Sequence, residues 1–256
     1  MEILVKQTRE LGTSAGVLLP RKWLNKQVVV TLHSPSKEDI ALDVFKILFK
    51  QNLNEEVKGI YLFGSYARGD YDFNSDIDIL VITQNANKII KHENYEIFLV
   101  SEKNFLKNIS HSLNYSSMLK EMKVILNKEL IEKYHTKSWK LNVKDILKEI
   151  ERIIRINKNS LETCKNEGQN IPDGIVYSVV LRLRELYLIK CLLLRKPYRK
   201  DDFLKFVGEK IYAAYLRVKR DENEIDNISY EEIIGLLELS LKWLKELKEQ
   251  KKELKV

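Results

Sequence analysis

The feature that most constrains this chain is a pair of short apolar runs, Gly59–Phe63 and Ile77–Ile82, joined by a polar connector, with Asp76 and Asp78 set at the opening of the second run. Both runs have the length and composition of strands. Side chains alternate along a strand, so Asp76 and Asp78 project from one face while Ile77 and Ile79 go to the other. Two carboxylates a strand step apart repel, and burying them costs several kcal/mol each. Divalent cations reverse that penalty. Two magnesium ions about 3.5–4 Å apart, bridged by such a pair, can activate an attacking hydroxyl and neutralise leaving phosphates.

The other end of the connector carries complementary chemistry. Gly64-Ser65 follows the first run and precedes Tyr-Ala-Arg, which reads as the opening of a helix. Glycine allows close backbone approach, the serine hydroxyl donates, and a helix N-terminus aims its N–H groups at an anion. Arg68 and Ser75 are further donors nearby, while Asp70 and Asp72 read as turn and solvent residues. An Asp-x-Asp alone is more often an edge-protecting charge pair. Joined to a Gly-Ser turn on an adjacent strand, it points to a nucleotide site with metals.

The rest of the chain divides into three regions. Residues 1–36 give strand runs at Ile3–Gln7 and Val28–Leu32 around the segment Leu11–Pro20, and then a polar linker. Residues 37–130 alternate helical spacing (Ile40, Val44, Ile47, Leu48) with strand runs, the third being Tyr95–Val100. After Leu141 the strands stop, and residues 141–256 carry helical stripes. One runs from Val143 to Ile154, and a second follows Asp173, which reads as its N-cap. A third, Phe203–Arg217, breaks near Gly208, and a last helix opens on the capping-box spacing Ser229…Glu232. The expected class is α+β: a mixed-sheet core, a C-terminal antiparallel helical bundle and a short N-terminal β-hairpin region.

At the stretch Gly64–Leu80 the sequence resembles the minimal nucleotidyltransferases of the DNA polymerase beta-like superfamily. The resemblance implies that Gly64 and Ser65 grip a triphosphate and that Asp76 and Asp78 bind magnesium. It also implies a third carboxylate on a neighbouring strand, for which Glu96 is the acid within the run Tyr95–Val100. Such a group takes the proton from the incoming nucleophile.

Two further resemblances flank this core. Gly12, Ser14, Gly16 and Pro20 follow the pattern of AbrB-like swapped hairpins. That implies dimerisation and DNA contact, with Lys6, Arg9, Arg21 and Lys22 as phosphate ligands. The C-terminal helices resemble HEPN and nucleotidyltransferase substrate-binding bundles. Arg184 is not followed by the His of the RNA-cleaving members, so ribonuclease activity is not expected. Glu185 is a candidate base for activating an acceptor.

The net charge of +7 suits a polyanionic partner, and no run of about 18 apolar residues predicts a membrane span. The N-terminus lacks signal-peptide design, and Cys164 and Cys191 fall in helical patterns, so a cytoplasmic protein with reduced thiols is expected. The resulting expectation is an enzyme that moves a nucleoside monophosphate, AMP from ATP, to an acceptor hydroxyl. Catalytic and metal residues are Asp76, Asp78 and Glu96, with two Mg2+; Gly64, Ser65, Arg68 and Ser75 hold the nucleotide. The acceptor is a protein, an RNA or a small molecule, and the expected assembly is a homodimer. The alternative is a non-catalytic ATP-binding, DNA-associated regulator.

Overall fold

The computed structural model describes residues 4, 6, 8–30, 35–72, 75–137, 139–225, 227–250 and 254–255. Its central element is a five-stranded mixed sheet. The strands are β3 (Val57–Phe63), β4 (Ile77–Thr83), β5 (Lys88–His92), β6 (Tyr95–Ser101) and β7 (Lys123–Leu126), which follow β1 (Arg9–Leu11) and β2 (Ser14–Gly16) at the N-terminus. The sheet order is β5-β6-β4-β3-β7. Only the β4–β6 ladder is parallel; the β5–β6, β3–β4 and β3–β7 ladders are antiparallel.

Helices cover both faces, which is why β3 and β4 are apolar almost throughout rather than alternating. On one face α1 (Lys37–Lys50) buries Ile40, Val44, Ile47 and Leu48 against Ile60, Leu62, Ile77 and Ile79. The helix starts where Ser36 and Asp39 form a capping box, each side chain bonded to the other's backbone N–H. The other face carries α3 (Glu102–Ile109), α4 (Leu113–Glu121) and α5 (Lys128–His135). Their Phe105, Leu119, Ile131 and Tyr134 pack on Tyr61, Phe63, Leu80 and Ile82. Between β3 and β4 lies α2 (Gly64–Arg68), a single turn whose Tyr66 and Ala67 join the α1 side.

The C-terminal bundle has its own core. Its helices are α6 (Val143–Glu167), α7 (Asp173–Leu193), α8 (Lys200–Val207), α9 (Glu209–Lys219) and α10 (Tyr230–Glu249). Buried Ile154, Val180, Leu183, Leu186, Phe203 and Leu237 form its centre. Gly168, at φ +66°, ends α6 in the left-handed region that closes helices, and Gly208 separates α8 from α9. The capping box expected at Ser229 and Glu232 is present. A short ladder pairs β8 (Lys140–Leu141) with β9 (Leu254–Lys255). No helix among the described residues is long and apolar enough to cross a membrane.

Three expectations are corrected. Val28–Val30 form no strand; they lie exposed without a partner strand, and an isolated extended run has nothing to satisfy its backbone. Leu32 lies outside the described residues, as do Ile3, Val5 and Gln7, while Leu4 and Lys6 are not in a strand. The hairpin forms instead between β1 and β2, across Gly12 at φ +60°, the glycine that a primed two-residue turn requires. Finally, Asp173 does not cap α7: Pro172 holds that place. Asp173 is the first helical residue, fully buried, with Arg217 of α9 donating to both its carboxylate oxygens at 2.6 and 2.8 Å.

Candidate active site

The sheet register brings two of the three sequence-predicted carboxylates together. Asp78 on β4 lies beside Glu96 on parallel β6, and Glu96 lies opposite Lys91 on β5. On its other side Asp78 pairs with Phe63, the last residue of β3. Registered partners share a face, so Asp78 and Glu96 project together at the end of the sheet from which α2 departs. Glu96 therefore sits where a third carboxylate would be needed. Its Oε1 lies 3.2 Å from the Lys91 ammonium. Asp76 stands just before β4, half-exposed, with its Oδ2 3.9 Å from the ammonium of Lys219 at the end of α9.

Burial pushes the Asp78 carboxyl up to about 7, and the nearby Asp76 and Glu96 charges add to that rise against the pull of Lys219 and Arg68. A carboxylate so placed lacks enough positive charge of its own. The donor set is all hard oxygen, which suits magnesium. As the side chains stand, no three His, Cys, Asp or Glu groups among the described residues are close enough together to hold a metal. Asp78 and Glu96 are the two hard-oxygen donors that the register sets side by side, and Asp76 stands apart beside Lys219.

The Gly-Ser turn is built tightly against this group. Gly64 has φ +70°, and a Cβ at that position would overlap the Asp78 carboxylate. Only glycine meets both demands, the left-handed backbone and the missing side chain. Ser65 is half-buried, and its hydroxyl has no hydrogen-bond partner among the described residues. The Gly64 N–H donates to Glu121 Oε1 at 3.2 Å. Glu121, the last residue of α4, was not singled out from sequence. Nothing local marks it, because it reaches the turn only when α4 docks on the sheet.

Arg68 and Ser75 have partners already. Arg68 donates to Glu121 at 2.8 Å and to Asp70 at 3.2 Å, and its guanidinium stacks 5.2 Å over the Tyr198 ring of the bundle. The Ser75 hydroxyl closes a turn with Asp72, accepting its N–H at 2.8 Å and donating to Oδ1 at 3.1 Å. The expectation that Asp70 and Asp72 are only turn and solvent residues is corrected. Asp70 accepts the Lys200 backbone N–H and Asp72 the Lys200 ammonium, tying the connector to α8. Tyr198 lies between two cations, since Arg184 stacks 5.5 Å from its ring. Glu185 is not among these residues; it faces Arg182 at 2.9 Å within α7. Lys6, Arg9, Arg21 and Lys22 are all exposed.

Residues 43–162 match the family model described as "Nucleotidyltransferase domain". The match spans the whole five-stranded sheet, both Asp residues, the Gly-Ser turn and Glu96, and extends into α6. Two proteins of Methanocaldococcus jannaschii are similar over a shorter stretch. The provisionally named protein adenylyltransferase MJ0604 is 49% identical over 45 residues, 18% of this chain and 45% of that one. The provisionally named protein adenylyltransferase MJ0141 is 44% identical over 45 residues, 15% of this chain and 46% of that one. The chain thus spans less than half the length of these curated relatives. A solved nucleotidyltransferase-like protein from Exiguobacterium sibiricum is similar at 14% identity, with a TM-score of 0.33 over 84% of this chain and 81% of that one.

Proposed function

We propose that the protein is a magnesium-dependent nucleotidyltransferase that moves AMP from ATP to an acceptor hydroxyl and releases pyrophosphate. The observation that carries this reading is the fit of Gly64 against Asp78, with Glu96 in register on the next strand. A ligand backed onto the Gly64-Ser65 turn meets an uncommitted hydroxyl and a left-handed backbone directly above a carboxylate pair. The nucleotidyltransferase-domain match and the names of the two relatives favour the same chemistry.

In this reading Asp76, Asp78 and Glu96 would hold the magnesium ions, which when bound would supply positive charge to the phosphates and to the attacking hydroxyl. Ser65 orients the triphosphate by its hydroxyl, and Gly64 lets the turn close onto Asp78. Arg68, held at the base of the turn with its charge met by Glu121 and Asp70, is the remaining donor toward the triphosphate. Glu96 is the group on which the acceptor's proton comes to rest. Ser75 shapes the connector through Asp72. The protein works as three units, an N-terminal hairpin region, the transferase core and the bundle, in the cytoplasm and as a homodimer, with the hairpin as the DNA-contacting part.

A second reading, the non-catalytic ATP-binding and DNA-associated regulator, is favoured by one observation: the Asp76 carboxylate lies 3.9 Å from the Lys219 ammonium, a charge that competes with a metal for it. Calorimetric titration of ATP with magnesium into the wild type and into Asp76→Ala/Asp78→Ala tests the nucleotide site. Magnesium-dependent binding that the double variant loses is expected. Equal binding by both proteins overturns the assignment of these carboxylates.

A further inference from the structure

A cleft of about 340 Å3 opens where the α4 end of the core meets the α7 end of the bundle. It begins at the Gly-Ser turn, because Arg68 and Glu121 form part of its wall. Glu121 is committed to Arg68 and the Gly64 N–H, so it offers little charge to the opening. The remaining charged wall is cationic: Lys120 from α4, and Arg195 and Lys196 from the turn after α7. Among the described residues none of these three makes an ion pair. Two of them oppose one another across the joint, for burial and then the Arg195 charge both push the Lys120 ammonium below its ordinary value. The floor is apolar, made by Leu188, Leu192 and the Tyr198 ring.

The backbone under this wall is strained in a place where strain was avoidable. Arg195 has φ +54°, the left-handed conformation that closes α7, while the Lys196 N–H bonds back to the Cys191 carbonyl at 2.9 Å. Glycine is the usual residue there, and a side chain with a Cβ costs on the order of 1 kcal/mol more. Arginine at that position aims a cation into the cleft at the expense of helix closure, and such outliers cluster at functional sites.

We infer that this cleft binds a phosphate-bearing ligand, with Lys120, Arg195 and Lys196 on the phosphate and the Leu188–Leu192–Tyr198 floor against an apolar or aromatic body. An anion between Lys120 and Arg195 removes their repulsion and is held by forked donors from the guanidinium. On the transferase reading this ligand is the acceptor, which is then an anionic phosphomonoester rather than a neutral or cationic hydroxyl compound. Only that last step rests on the proposed function; the binding does not.

The test is calorimetric titration, without metal, of inorganic phosphate and of phenyl phosphate into the full chain. It is repeated with Arg195→Gly, Lys120→Gln and Asp78→Asn. Phenyl phosphate is expected to bind more tightly than phosphate, and both cleft variants to lose about ten-fold or more in affinity. Arg195→Gly should keep or raise the thermal midpoint, since glycine suits the φ +54° position, so lost binding there is not lost folding. Asp78→Asn should bind both probes as the wild type does. Undetectable binding, or affinities unchanged in both cleft variants, overturns the inference. Phosphate binding that tightens several-fold in Asp78→Asn overturns it too, since the phosphate would then sit beside the carboxylates, whose charge repels it. Retained phosphate binding in a protein without transferase activity would refute the transferase reading and leave the cleft as a phosphate site.

Discussion

The Asp78 carboxylate occupies the space that a side chain on Gly64 would need. The first residue of the turn and the buried acid of the next strand are thereby fitted to each other, and no side chain can be added at Gly64 without displacing Asp78. Gly64→Ala is expected to cost roughly 2–4 kcal/mol, combining a disfavoured positive φ with a direct clash on Asp78. Urea unfolding measures the loss, and magnesium-dependent ATP binding should fall with it. Ser65→Ala, at the neighbouring position, should leave stability within about 0.5 kcal/mol while weakening ATP binding.

Asp78 also sets a pH dependence for the metal-free protein. Its folded carboxyl titrates at about 7, against 3.8 as the ordinary value. A group whose folded value is raised favours folding fully below its unfolded value, and that contribution is lost as pH rises through the folded one. Stability should therefore fall between about pH 4 and pH 7 by as much as roughly 4 kcal/mol from this group, and then level off. Denaturant melts in chelator across that window, compared with Asp78→Asn, isolate the effect. The variant should be more stable than the wild type above pH 7, and its slope should be flatter. Magnesium should stabilise the wild type more at pH 8 than at pH 5.5, where protons compete for the same oxygens.

The bundle is pinned at Asp173, which is fully buried and paired with Arg217. Removing one partner of a buried pair leaves the other uncompensated, so Asp173→Ala should cost about 3–5 kcal/mol. By contrast, Ser229→Ala removes a helix cap on the surface and should cost about 1 kcal/mol. Urea midpoints of the two variants, measured side by side, check the difference.

Glu121 joins α4 to the turn through the Gly64 N–H and Arg68. Glu121→Gln should cost about 1.5–3 kcal/mol, because the charge-assisted bond to Arg68 weakens. It should also loosen Arg68, lowering ATP affinity without abolishing it. A binding isotherm beside an unfolding curve separates the two effects.

Much of this architecture could be read from the residues because local signals carried it. The apolar runs that became β3, β4 and β6 are buried on both faces, and Gly208 and Ser229 punctuate the helices as their chemistry dictates. The short strand β5 was not legible. Its sequence, Lys-Ile-Ile-Lys-His, is an exposed edge whose lysines keep other strands from pairing with it and break the apolar pattern of a strand. The hairpin between β1 and β2 was misplaced because three consecutive valines at 28–30 have stronger strand propensity than Arg-Glu-Leu, yet find no partner. Long-range relationships were the other blind spot. That Asp70 and Asp72 bind Lys200 some 130 residues away, and that Glu121 reaches Gly64, follows from how helices dock and not from any spacing along the chain. The register of Glu96 beside Asp78 puts both carboxylates on one face of the sheet, a relation that no spacing along the chain carries.

The most direct measurement is incubation of the protein with α-labelled ATP, magnesium and cell extract, with Asp78→Asn as the paired control. Label is expected on an acceptor with the wild type, and is expected to vanish when magnesium is chelated and in the variant. Label transfer that persists unchanged in Asp78→Asn, or a wild type that binds magnesium and ATP but labels nothing, would contradict it.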